Sequence, residues 1–387
     1  MFKMSRPAAK SALWDSPHLF VFLIALTGGV LAASNTTTNS SNNDILNLIN
    51  PFIGSANGGN VFAGATRPYG MAKAVADSYI DNTGVFALEG NPVQGFSAMH
   101  DSGTRGNPSL GNFSLFPELC PGDVVDNCNF RLGDRVVNYV NGQRLGRRQP
   151  GALRADLESG IAAEMTTSEH AAVFRFTYPQ NATEKNPFVL LDLTDMWQSR
   201  QNASISVSSG SDESSTTGRM TDNGTFFPSV GAGSYVMYFC ADFYGGKVLN
   251  RGVWVNNRAG TESKELFVTR GFNYFYLEAG GWARFEDLGD DNTITARVGT
   301  SFISAEQACG NAEDEIPDPV GGFDQLVEVT KDLRREKLET VSISPRARAW
   351  ICRRVLIPHH DLAAGLLGLG NTANHLQRGL RLGRIRP

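Results

Sequence analysis

Two glycine-rich stretches hold the densest sets of polar side chains in the chain. The first, Asn50–Asp77, reads NPFIGSANGGNVFAGATRPYGMAKAVAD and places Asn57, Asn60, Thr66, Arg67 and Asp77 among closely spaced glycines. The second, Gly95–Asn112, reads GFSAMHDSGTRGNPSLGN and groups His100, Asp101, Ser102 and Thr104. Carboxylates accept hydrogen bonds, amides do both, and His and Ser can do either. Carried on backbone that can approach a ligand closely, such sets suit a polyhydroxylated ligand such as a sugar. Neither stretch is a phosphate loop, because GxGxxG and GxxxxGK[ST] are both missing from them. The competing reading is a loop network satisfied by its own backbone.

Other residue types are weaker candidates. Asp192 and Asp195 follow an apolar run, Glu313, Asp314 and Glu315 are consecutive, and Asp287, Asp290 and Asp291 sit in a turn that resembles a weak calcium loop. Structural or solvated roles are the ordinary expectation for all of them. His170, beside Glu169, reads as a structural histidine. Trp197, Trp254 and Trp282 could stack on sugar faces, although core packing is the commoner fate of tryptophan. No Cys/His spacing matches a zinc site.

The elements that must position these groups read as strands. Charged residues are only 19% of the chain, against 41 Gly and 23 Phe, a balance that favours strands and turns. Strand patterns recur at 135–140, 153–157, 161–167, 171–178, 188–193, 235–243, 252–255, 266–269, 274–277, 283–285 and 293–302, while 208–223 reads as a long exposed loop. The predicted class is mainly β, a large antiparallel β-sandwich followed by short linker helices. Ser304 and Gln307 form a capping box that opens a helix toward Glu315. Phe323, Leu326, Val327 and Leu333 mark a second helix, read as a solvated linker with Lys331, Asp332, Arg334, Arg335, Glu336 and Lys337 on its charged face.

The termini read differently. Lys3, Arg6 and Lys10 precede the uncharged run Leu19–Ala33, which predicts a signal peptide over 1–33 or, if uncleaved, a signal-anchor through 19–33. The chain is therefore expected to be secreted or to follow the secretory pathway, with the single-pass membrane form as the alternative. Residues 34–44 read as a disordered polar leader. Asn35, Asn39, Asn112, Asn181, Asn202 and Asn223 head N-glycosylation sequons. Cys120 and Cys128 bracket a short turn and suit a disulfide, with free thiols as the other reading; Cys240 and Cys309 either pair or stay free, and Cys352 lies in the atypical tail. A net charge of −4 gives no positive field to recruit nucleic acid. Residues 345–387 hold eight Arg and one acid and read as an atypical tail, disordered or mis-spliced.

Taken together, NPFIG, GNVFAGATRPYGMAKAVAD, GFSAMHDSGT, PSLGNFSLFP, EMTTSEHAAVFRF, LLDLTD and RVGTSFISAEQACGNAEDEIP resemble the N-terminal domain of glycoside hydrolase family 92 over residues 46–340. The resemblance implies a supersandwich of the galactose-mutarotase type over 45–304, linker helices over 305–344 and, in the full family, an (α/α)₆ barrel. It implies calcium-dependent, inverting exo-α-mannosidases acting on α-mannoside glycans. On it, Asn57, Asn60, Arg67, Asp77, His100, Asp101 and Ser102 are assigned to the substrate. The sequence departs from the family at Ala63, Ala98 and Arg105, where Pro, His and Gly are usual. Inversion needs two carboxyl groups about 6.5–9.5 Å apart, and the family takes its acid, its base and most calcium ligands from the barrel. No catalytic residue or calcium ligand is therefore expected in this chain, and the barrel is its natural packing partner. The alternatives are a stand-alone weak carbohydrate-binding module and an inactive truncated product.

Overall fold

The computed structural model describes residues 44–54, 61–78, 91–100, 111–122, 124–140, 150–180, 186–195, 198–209, 218–228, 232–260, 262–272, 275–288 and 291–340. In chain order the strands are β1 (Ala65–Thr66), β2 (Lys73–Ser78), β3 (Val93–Ser97), β4 (Ser114–Leu119), β5 (Ala152–Asp156) and β6 (Ala162–Thr167). Next come β7 (Ala171–Thr177), β8 (Pro187–Asp192), β9 (Arg200–Ser209), β10 (Gly218–Phe226), β11 (Tyr235–Tyr244) and β12 (Lys247–Val255). β13 (Arg258–Gly260), β14 (Glu265–Thr269), β15 (Gly271–Phe272), β16 (Phe275–Tyr276), β17 (Ala279–Asp287) and β18 (Thr293–Ser301) lead into α1 (Ala305–Glu315) and α2 (Phe323–Glu339).

Two eight-stranded antiparallel sheets face each other. The first has the order β1-β2-β3-β4-β8-β17-β12-β13, the second β14-β9-β10-β11-β18-β7-β6-β5, and β15 and β16 form a separate ribbon. Alternation sorts the side chains. In β8, Val189 and Leu191 enter the core between the sheets, while Phe188 and Leu190 join Phe116, Trp254 and Trp282 on the outer face of the first sheet. A segment running from Cys120 to Val140 covers that outer face and adds Val125 and Phe130 to the cluster. A strand buried on both faces reads as an unbroken apolar run, which is why PFVLLD lacks alternation.

The helices cover part of the outer face of the second sheet. Ala171 and Val173 of β7 pack there against Ala312, Ile316, Phe323 and Val327. The Ser304 hydroxyl caps α1 by accepting from the Gln307 amide at 3.1 Å. A Cβ on Gly299 of β18 would lie 2.1 Å from the Ala308 carbonyl oxygen, so only glycine lets α1 approach this closely. A disulfide from Cys240 of β11 to Cys309 holds the same contact.

Four expectations change. Residues 135–140 form no strand; they make single bridges instead, Val137 to Val93 of β3 in the first sheet and Tyr139 to Leu157 just after β5 of the second. Much of 208–223 is strand, because β10 pairs with β9 and β11 and sends Met220 into the core. The first glycine-rich stretch contains β1 and β2, whose small residues (KAVADS, all buried) hide the usual strand signal. Finally, α2 is docked rather than solvated. Arg334, on its expected charged face, is 6% exposed and donates to the Thr66 carbonyl, and the Thr330 hydroxyl donates to the Thr167 carbonyl at 3.2 Å.

Candidate functional site

The described part of the site lies along β1–β3. Arg67 is half-buried in the turn after β1, where its carbonyl accepts from the Gly70 amide at 3.1 Å. Tyr69, in the same turn, is 48% exposed with φ +63°, left-handed backbone that a bulky residue seldom adopts. Sequence reasoning did not single out this ring, whose only marker was its place in RPYG. His100 is 2% exposed and rests against Phe62, with ring centroids 5.9 Å apart. Ala63 and Ala98 are buried, and the Ala98 carbonyl accepts from the Lys73 amide at 2.9 Å. Asn57, Asn60, Asp101, Ser102, Thr104 and Arg105 lie outside the described residues.

Asp77 does not open to a ligand. It is 1% exposed, and its two oxygens accept from the hydroxyls of Ser97 and Ser114, the latter at 2.7 Å. A Cβ on Gly95 would sit 2.1 Å from the Ser114 oxygen, so the glycine makes room for this triad. Burial pushes the Asp77 carboxyl up to about 6, against the pull of the two hydroxyls and Arg135. Its assignment to substrate is corrected to a structural one, because neither oxygen faces solvent.

Three further buried acids pin the covering segment. Asp192, fully buried, pairs with the equally buried Arg135. Glu118 accepts from the Asn129 amide at 3.1 Å and from its side chain at 2.6 Å, and burial pushes its carboxyl up to about 7. Glu278 accepts from the Leu132 amide at 2.8 Å and is likewise raised by burial. Burial also raises Asp192, against the opposing charge of Arg135. The Cys120–Cys128 disulfide closes the start of this cover.

The remaining candidates are engaged elsewhere. Asp195 accepts from the Ser199 amide at 2.6 Å. Glu313 pairs with Arg219 at 2.7 Å, and Glu315 pairs with His170 at 2.6 Å, tying the end of α1 to the β6–β7 turn. Trp254 and Trp282 are in the core, with their ring nitrogens donating to Leu191 and Val253 carbonyls. Trp197 and Asp290 lie outside the described residues. Of the sequons, Asn112 is 2% exposed and accepts from the Tyr235 hydroxyl at 3.2 Å, which leaves no outlet for a glycan. Asn202 and Asn223 are half-buried on β9 and β10, and Asn35, Asn39 and Asn181 lie outside the described residues. Among the described residues no group of three or more His, Cys, Asp or Glu could hold a metal ion. These residues do not fit a calcium site.

The fold aligns with that of solved glycosyl hydrolases. One GH92 family glycosyl hydrolase aligns with TM-score 0.63 at 19% identity, covering 77% of this chain and 38% of its own. A family GH92 α-mannosidase of Bacteroides thetaiotaomicron aligns with TM-score 0.60 at 21% identity, covering 78% of this chain and 39% of its own. Identities this low speak for the fold alone. In sequence, the chain is 46% identical over 305 residues to an uncharacterized secreted glycosidase of Arthroderma benhamiae (strain ATCC MYA-4681 / CBS 112371), covering 78% of this chain and 39% of that protein. Residues 48–301 match the glycosyl hydrolase family 92 N-terminal domain, and the chain belongs to that family. It spans well under half the length of the relatives it matches. No helix among the described residues is long and apolar enough to cross a membrane.

Proposed function

We propose that this chain is the sandwich part of a secreted exo-α-mannosidase, forming one wall of the sugar cleft while the acid and base come from elsewhere. The family match over residues 48–301 carries the reading. The α-mannosidase neighbours of the same fold and the secreted relative support it. The wall would be built from the Arg67–Tyr69 turn and from the segments that leave His100 and precede Val61, where Asn57, Asn60, Asp101 and Ser102 reside. These groups would bind and orient the mannose hydroxyls. Asp77, Asp192, Asp195, Glu313 and Glu315 are each engaged within the fold, so on this reading the protons of hydrolysis would be transferred by groups outside the sandwich. Calcium, required by the family reading, would then be held outside the described residues.

Titration of the isotope-labelled chain with α-1,2-mannobiose tests this. Amide shifts confined to residues 52–70 and 97–112 are expected. A saturated titration with no shift there, or with shifts only on the helices, contradicts the wall.

A further inference from the structure

Two of the sequons meet across one pair of strands. Asn202-Ala-Ser204 lies on β9 and Asn223-Gly-Thr225 on β10. In the antiparallel register Thr225 is opposite Asn202, and Asn223 is opposite Ser204. Each acceptor asparagine thus faces the hydroxyl residue that completes the other sequon. The two asparagines are diagonal neighbours on one face, a relation that puts side chains about 7–8 Å apart. The face is the outer one of the second sheet, since the alternate residues Ala203, Ile205, Val207 and Gly224 are buried.

The surroundings are unusual for bare solvent. Directly beside Ser204, on the edge strand β14, stands Phe267, 68% exposed. Beside Thr225 stands Val236, 40% exposed, and beside Asn223 stands the half-buried Tyr238. α1 is tied to this sheet at Cys240, the next outward residue along β11. What remains is a flat patch with apolar side chains around two asparagines, of the kind that soluble proteins cover or use. An edge strand with an exposed aromatic is also a template for pairing with another chain.

We propose that this face carries a pair of N-linked glycans, on Asn202 and Asn223, whose inner N-acetylglucosamine units shield Phe267, Tyr238 and Val236. The secretory route this needs is supported by two disulfides, Cys120–Cys128 and Cys240–Cys309. The Asn223 amide nitrogen donates to Asp222 at 2.6 Å; a glycosylated amide keeps one N–H, so that bond can persist beside the sugar. Asn112 supplies the internal contrast, an acceptor sealed in the core. The proposal is independent of which glycan, if any, the cleft binds.

The full chain, expressed in a eukaryotic secretory host, is trimmed with an endoglycosidase that leaves one N-acetylglucosamine per site and mapped by mass spectrometry. Tags on both the Asn202 and Asn223 peptides and none on the Asn112 peptide are expected, with Asn202→Gln and Asn223→Gln each removing its own tag only. Mapping the cell-retained chain as well keeps the result readable if a variant secretes poorly. An unmodified asparagine at either position overturns the pair. Enzymatic removal of the glycans should raise binding of an apolar fluorescent dye severalfold, and Phe267→Ser should remove most of that rise. Unchanged dye binding overturns the shielding.

Discussion

Arg135 and Asp192 show how much of this molecule rests on single buried charges. Both side chains are 0% exposed, and Asp192 also accepts from the Thr194 amide at 2.7 Å. Removing one partner of such a pair strands the other charge in the core. Arg135→Met is expected to cost about 3–5 kcal/mol of stability, read from urea unfolding. Arg135→Met combined with Asp192→Asn should recover part of the loss, because no charge is then stranded. A single variant within about 0.5 kcal/mol of the parent would mean that the pair is not buried as described. This pair was not legible in the sequence, where its members are 57 residues apart. Asp77 was misread for a related reason: its type and its glycine-rich neighbourhood were visible, but the Ser97 and Ser114 hydroxyls that engage it lie 20 and 37 residues away. His100 and Arg67, like Asn57, Asn60, Asp101 and Ser102, remain expectations from residue type, spacing and the family resemblance.

At the scale of elements, α1 is held to the second sheet by three devices: the Gly299 contact, the Glu315–His170 pair and the Cys240–Cys309 bridge. The bridge joins residues 69 apart in sequence, so it constrains a long segment of the unfolded chain. Replacing both cysteines with alanine should cost about 2–4 kcal/mol and speed hydrogen exchange in α1 more than in β8. Equal exchange across the two elements would show that the bridge is not what holds the helix. Strands rich in aromatic and branched residues, such as β7 and β8, were legible because both signals coincide there. β2 was hidden by alanines, and β10 by Thr, Asp and Asn, whose local preference for turns yields here to pairing on two sides. α2 was legible as a helix, yet its docking was not, since an arginine ordinarily marks the solvated face and Arg334 is instead desolvated, with its guanidinium held down to about 10.

For the whole molecule, the acids beneath the cover set the pH response. Burial raises Asp77 to about 6 and Glu118 to about 7, and raises Asp192 and Glu278 as well. An acid with a folded pKa above its unfolded value takes up protons on folding, so its contribution falls as pH rises between the two values. Hydrogen bonds and His170 hold Glu315 below its ordinary range, which makes its contribution disappear only in more acidic solution. The thermal midpoint should therefore rise as pH is lowered from about 7.5 to about 5 and fall again in stronger acid. Glu118→Gln should flatten the rise; a midpoint that climbs steadily toward pH 7.5 would contradict the burial of these groups.

The same sealing of acids bears on the central claim, that this sandwich shapes a mannoside cleft without supplying the groups that break the bond. Its most direct test is incubation of the purified chain with α-1,2-mannobiose and calcium, with released mannose measured against a buffer control. Release no faster than the control is the predicted result. Steady release that scales with the amount of chain and survives rigorous removal of host hydrolases would contradict it.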